Sequence, residues 1–400
     1  MTAGLRWYLT SSALFLIPGG IQMVLFPYLV AVYLQESPTR VGLAQMSGQI
    51  PMLLLLLWGG VLGDRLDQRK LLLLLQSVML LPPLVIALLD WQGMLSYGVL
   101  VGWAVFGGTL GAFAQPARDA LLNRIAGKEI QRVVILVIGV QFSIQIVGFA
   151  IGAMASSMGI TIVLVLQSTA MFCALLATRK IPLATPTVSK APRQHPLRDI
   201  AEGLRMAWHS QTIRPAVIQA FSTGLFFAGS YIVVLPLMVR DIYGGSSQEI
   251  AMAFAANMLG STTTIFWLMR RGGIENSGRA LLIGSLVSLS MLSILTQELS
   301  QPMFYFVIYL WGVCGGMGMT MSRSIVQEAA PESHRARLLS VFSLGMMGGM
   351  PIGSAVLGAC VEAFGPRNAV WVPVIGMLIV TLLLIFTTRL WHVRRQQIVA

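Results

Sequence analysis

Of 400 residues, 56% are hydrophobic and only 10% charged, yet the net charge is +12. A soluble domain carries about a quarter charged residues, so a water-soluble enzyme or adaptor is excluded and a chain dissolved in lipid is indicated. The basic excess does not call for nucleic acid: with twelve alternating spans and both termini cytoplasmic, 24 of the 27 Lys and Arg fall inside and three (Arg40, Arg240, Arg367) outside, while the acids divide nine and six. That asymmetry, +15 inside against −3 outside, is the positive-inside rule.

Span 1 is expected over about Trp7–Leu34, interrupted by Pro18-Gly19-Gly20 and followed by Pro27. No cleavable signal peptide is expected before it. Span 2 covers about Val41–Leu62. Span 3 covers Leu71–Leu89 with a kink at Pro82-Pro83, and span 4 covers about Leu95–Ala117, rich in glycine. Small residues let membrane helices approach closely. Spans 5 and 6 cover about Val133–Ser156 and Ile160–Thr178. The linker is prolyl in its first half and then turns amphipathic. Leu197, Ile200, Leu204 and Trp208 share one helical face opposite Arg198, Glu202 and Arg205, as expected of a helix on the cytoplasmic membrane surface. Spans 7–12 follow at about Pro215–Val239, Ile250–Met269, Ala280–Leu295, Pro302–Ser324, Leu338–Val361 and Ala369–Leu390. The expected division is a bundle at 1–178, a linker at 179–213, a second bundle at 214–390 and a cytoplasmic tail at 391–400.

The halves repeat. At a shift of 209, Gly20 falls on Gly229, Pro27 on Pro236, Ser37 on Ser246 and Lys70 on Arg279. At a shift of 205, Arg118 falls on Arg323 and Gly148 on Gly353. Asp64 falls on Gly273, so one charged loop is not repeated.

That loop, between spans 2 and 3, reads Gly60-Val61-Leu62-Gly63-Asp64-Arg65-Leu66-Asp67-Gln68-Arg69-Lys70. It resembles the G-x-x-x-D-R/K-x-G-R-R/K signature of the major facilitator superfamily, with Asp67 for the usual Gly and Gln68 for the usual Arg. The resemblance implies an all-α membrane protein of twelve transmembrane helices in two pseudo-symmetric six-helix bundles, with substrate passing near the bilayer midplane. It also implies a gate of Gly60, Asp64, Arg65, Arg69 and Lys70, in which Asp64 pairs with Arg118 at the inner end of span 4. Otherwise these charges only fix topology.

Two further stretches, Gln115-Pro116-Ala117-Arg118 with Leu121-Leu122 and Leu197–Arg205, are similar to the branch of enterobactin exporters and macrolide-efflux proteins. This implies secondary active export of a siderophore or drug-like molecule across a bacterial inner membrane, exchanged for protons. Import, lipid movement or a non-transporting assembly or sensor role on the same scaffold are the alternatives. A monomer is expected.

Uncharged polar residues within spans are Gln22, Gln45, Gln49, Gln141, Gln145, Gln219 and Asn257. With the family's lining helices in mind, Gln22, Trp103, Gln141, Gln145, Tyr231, Asn257 and Trp311 are the cavity candidates; each alone serves equally as a packing or interhelical contact. They suit an amphiphilic or aromatic solute. No basic residue stands at mid-span, so an anion site is not expected, and no carboxylate is clearly placed for coupling beyond Glu362 or Asp64. Gly148 and Gly152 in span 5, and Gly349 and Gly353 in span 11, occupy equivalent places; they are packing glycines or a relative of the exporters' Gly-Pro element. Cys173, Cys314 and Cys360 lie in spans as small buried residues. There is no catalytic arrangement, metal spacing or phosphate loop, so no enzyme activity, cofactor or metal is expected.

Overall fold

A computed structural model describes residues 3–126, 130–182, 196–331 and 334–393. Among them the secondary structure is helical throughout: α1 Ala3–Pro27, α2 Pro38–Arg65, α3 Gln68–Met79, α4 Leu81–Trp91, α5 Tyr97–Ala126, α6 Ile130–Ala153, α7 Ala155–Met158, α8 Ile160–Arg179, α9 Pro196–His209, α10 Ile213–Ser222, α11 Leu235–Ile242, α12 Ser247–Arg271, α13 Ser277–Ile294, α14 Gln301–Ala329, α15 Arg335–Ala369 and α16 Trp371–Thr387. Among the described residues, nine helical stretches are long and apolar enough to cross a membrane. Many large apolar side chains point outward, Leu74, Phe266 and Phe386 among them. Water would penalise that surface, and lipid does not.

The chain forms two compact units. Unit 1 holds Met1–Glu36, Ser47–Pro196 and Gly245–Ala251; unit 2 holds Ser37–Met46, Leu197–Gly244 and Met252–Ala400. The first turns of α2 and α12 thus each belong to the unit built mainly from the other half of the sequence.

In unit 1, α1 packs along α6 and α8, and α3 packs on α5. The α1–α6 crossing is close because Gly20 faces Gly148: a Cβ on Gly148 would lie 2.7 Å from the Gly20 Cα. Gly152 continues the seam against Val24. Contrary to expectation, Pro18-Gly19-Gly20 does not interrupt the helix; α1 runs through it, and the irregularity comes later, as a π-helical turn at Tyr28–Tyr33. A proline in a membrane helix frees one carbonyl, and neighbours can take it up. For Pro18 that carbonyl belongs to Leu14; the Gln167 amide donates instead to Pro18 O at 3.5 Å and ties α8 to α1. Span 3 does break as its prolines dictate, with α3 ending at Met79 and Pro82-Pro83 in the first turn of α4. Ser247, in the first turn of α12, donates to Ala153 O at 2.8 Å and accepts from the Ser156 N–H at 3.0 Å.

In unit 2, α10 and the π-helical turns Thr223–Ala228 and Ser230–Val234 pack on α15, and α13 packs on α14. Gly229 meets Gly353, and Gly349 meets the Phe221 carbonyl and the Leu225 N–H. The Glu362 carboxylate accepts the Thr39 N–H at 3.0 Å. A carboxylate at the free donors and positive end of α2 is favourably placed.

The linker helix α9 packs edge-on. Ala207 is buried with Val341 and Phe342, Gly203 lies against Val341, and Glu202 pairs with Arg337 at 3.0 Å. Leu204 and Trp208 face outward, exposed. The side chains of Leu197 and Ile200 lie outside the described set.

Candidate functional site

Each unit encloses a cavity, and the two occupy repeat-related positions. Met79, Gly19, Gln22, Phe106 and Leu110 line the first; their partners at shifts of 209 or 205, namely Ser288, Ala228, Tyr231, Trp311 and Gly315, line the second.

The unit 2 cavity has a volume of about 250 Å³. The π-helical turns of span 7 supply Phe227 and Tyr231; such turns redirect side chains and recur at functional sites. Trp311 from α14 meets Phe227 edge-on at 6.1 Å and Tyr231 at 6.4 Å, and Tyr231 lies 4.6 Å from Phe254. Such T-shaped and tilted contacts place ring edges against ring faces, which fixes their orientation. Tyr231 donates to Phe254 O at 3.4 Å and Asn257 to Ile308 O at 3.4 Å, so both polar tips are held by backbone. Gln219 donates to Ser285 Oγ at 2.8 Å. Gln219 Oε1 and Ser288 Oγ are buried with no hydrogen bond among the described residues. Buried polar atoms are normally paired, so these two are available to a ligand. Among the described residues its lining carries no charged side chain.

The unit 1 cavity, about 190 Å³, differs. Trp103, in edge contact with Phe26 at 5.9 Å, and Phe106 supply the apolar wall. Gln22, Gln115 and Gln167 are neutral polar contacts, and Arg118 lines the cavity as well. The sequence places no basic residue at mid-span, but that does not keep one nearer a helix end, as Arg118 is, from reaching a cavity. Arg118 sits about two turns before the C-terminal end of α5, and its side chain is only 7% exposed. Long side chains reach well beyond their own helical turn, and linear position does not report that.

Not every candidate lines a cavity. Gln145 donates to the Met23 sulfur at 2.9 Å, and Gln141 is exposed; neither lines the two cavities. Gln167, Ser285 and Ser288 line cavities but were missed by sequence reasoning. The repeat was the available signal for Ser288, which falls on Met79, although Ser at that place resembles any small residue of a membrane helix.

In the charged loop, the Asp64 and Arg65 side chains lie outside the described set, and Gly60 lies in α2. Arg69 donates from Nε to Thr178 O at 3.2 Å and from Nη2 to Arg179 O, satisfying carbonyls at the end of α8. The Lys70 N–H donates to Asp67 Oδ1 at 3.0 Å. Asp67, where the family usually has Gly, is thus the N-cap of α3. Gln68, where Arg is usual, is buried and accepts from Arg124. Both departures have local structural reasons. Arg118 makes no ion pair with a carboxylate among the described residues.

A duplicated helical scaffold, apolar outward, with paired interior cavities, defines a major facilitator-type membrane transporter of small molecules. Solved structures share the fold: the nucleoside transporter NupG superposes with a TM-score of 0.71 at 14% identity, covering 96% of this chain and 98% of that one. A bacterial homologue of the human lysosomal transporter Spinster gives 0.71 at 13%, covering 97% and 95%. The chain belongs to the transmembrane secretion effector family of this superfamily, whose match covers residues 6–399. It is similar to the staphyloferrin A transporter of Staphylococcus aureus (22% identity, 92% of this chain and 90% of the relative). It is also similar to the enterobactin exporter EntS of Escherichia coli K12 (25% identity, 90% and 86%).

Proposed function

We propose that this transporter exports a small amphiphilic molecule, siderophore or drug-like, across the bacterial inner membrane by alternating access, in exchange for protons. The observation that carries the reading is the unit 2 cavity: aromatic walls, neutral polar contacts and no charge suit a solute with apolar rings and a few hydrogen-bonding groups. The similarity to an enterobactin exporter and a staphyloferrin A transporter supports the siderophore class. The charge asymmetry supports cytoplasmic termini. The gate is assigned to the charged loop Gly60, Asp64, Arg65, Arg69 and Lys70 together with Arg118, where pairing of Asp64 with Arg118 holds one conformation closed and its release frees Arg118 in the other. The working unit is the monomer.

The test is accumulation of a panel of amphiphilic dyes and siderophores in cells lacking their own exporters. The protein is compared with Asp64→Asn, with and without a protonophore. Lower accumulation that vanishes with the protonophore and in the variant supports proton-driven export gated at Asp64. No difference across the panel, with the protein shown to be in the membrane, overturns the exporter reading.

A further inference from the structure

Arg118 is the one charged side chain among the described residues that line the unit 1 cavity. Its guanidinium is buried, and its Nε makes no hydrogen bond among the described residues. Asp119, next to it in sequence, supplies a neighbouring negative charge, but a buried guanidinium N–H left without an acceptor is costly in a helical bundle. The Phe15 ring lies 4.7 Å from the guanidinium carbon. A ring face attracts the cation but accepts no N–H bond in the guanidinium plane. Across the same cavity, Gln167 spends its amide on Pro18 O and leaves Oε1 buried and unpartnered. The Nε–H is thus an unsatisfied donor of Arg118, and Nε with one terminal nitrogen forms a fork that matches a carboxylate bidentately.

We infer that the unit 1 cavity binds the carboxylate of a small aromatic or apolar acid, with Arg118 Nε and one terminal nitrogen donating to its two oxygens. This rests on the transporter reading and specifies the substrate class of one cavity. The body of the acid lies toward Trp103 and Phe106, which line the same space. The Gln167 Oε1 accepts a hydroxyl or amide donor from that body. The repeat offers no second copy, because Arg323, which matches Arg118 at a shift of 205, is exposed. Anion recognition is therefore confined to unit 1, and unit 2 recognises neutral aromatic groups.

The test uses the full-length protein in phosphatidylcholine nanodiscs, with radiolabelled benzoate and benzamide, which match in shape and differ in charge. Benzoate is expected to bind at least about tenfold more tightly than benzamide, about 1.4 kcal/mol. Arg118→Gln is expected to reduce benzoate to the benzamide level, and Arg323→Gln to leave the preference intact. Equal binding of the two probes to the unmodified protein overturns the inference, as does a preference that survives Arg118→Gln. Should Arg118→Gln not fold, Arg118→Lys decides: it keeps the charge and loses the planar fork, so benzoate binding falls several-fold, and unchanged binding overturns the bidentate site. Arg118-dependent benzoate binding without dye export leaves this site standing and sinks the exporter reading. Charge-blind binding with intact export does the reverse.

Discussion

Unit 1 closes its first helix on α6 through Gly20 and Gly148; unit 2 closes span 7 on α15 through Gly229 and Gly353. The backbone seams are copies, but the cavities beside them are not. In unit 1 the wall carries a buried arginine, whereas the matching arginine of unit 2 is exposed and the wall is aromatic and neutral. Duplication preserved the contacts in which backbone meets backbone, because nothing larger than glycine fits there. It left the cavity side chains free to diverge, because a cavity imposes no packing partner. One scaffold thereby carries two differently lined cavities.

The largest expected effect tests the shared seam. Gly148→Ala and Gly353→Ala each drive a methyl into facing backbone and should destabilise by about 1–3 kcal/mol. Thermal unfolding in detergent micelles measures both. A large loss in one unit with none in the other would break the equivalence of the seams.

Next comes a pair at which the units differ. Asp67 and Asn276 match at a shift of 209, and both are helix N-caps. Asp67 accepts the Lys70 N–H, while Asn276 makes no side-chain cap bond. Asp67→Ala should therefore cost about 1 kcal/mol and Asn276→Ala a few tenths. Equal losses by the same assay would show that the cap bond is not what distinguishes them.

The smallest effect concerns the ion pair Arg367–Glu298, at 2.9 Å with the Glu298 side chain 89% exposed. Solvent screens such a pair, so Glu298→Gln should shift stability by less than about 0.5 kcal/mol. The Glu202–Arg337 pair at 3.0 Å, with side chains 43% and 29% exposed, is better covered and docks α9. Glu202→Gln should cost more than Glu298→Gln, and the reverse order would remove α9 docking as a source of stability in unit 2.

The sequence by itself determined the membrane class, the duplication, the break at Pro82-Pro83 and the amphipathic linker helix. Each depends on composition, period or a fixed φ, which are local quantities. With the family's lining helices as guide, it also singled out five residues that line the cavities, Gln22, Trp103, Tyr231, Asn257 and Trp311. Only the tertiary structure decided where Arg118 points, that Arg69 serves the end of α8, that Pro18 leaves α1 unbroken, and that Gln219 and Gln167 each keep an unpartnered oxygen. The reason is physical. A side chain's partners are set by helices distant in sequence, and in a membrane, where every span is apolar, the pattern along one helix does not say which neighbour will satisfy a charge.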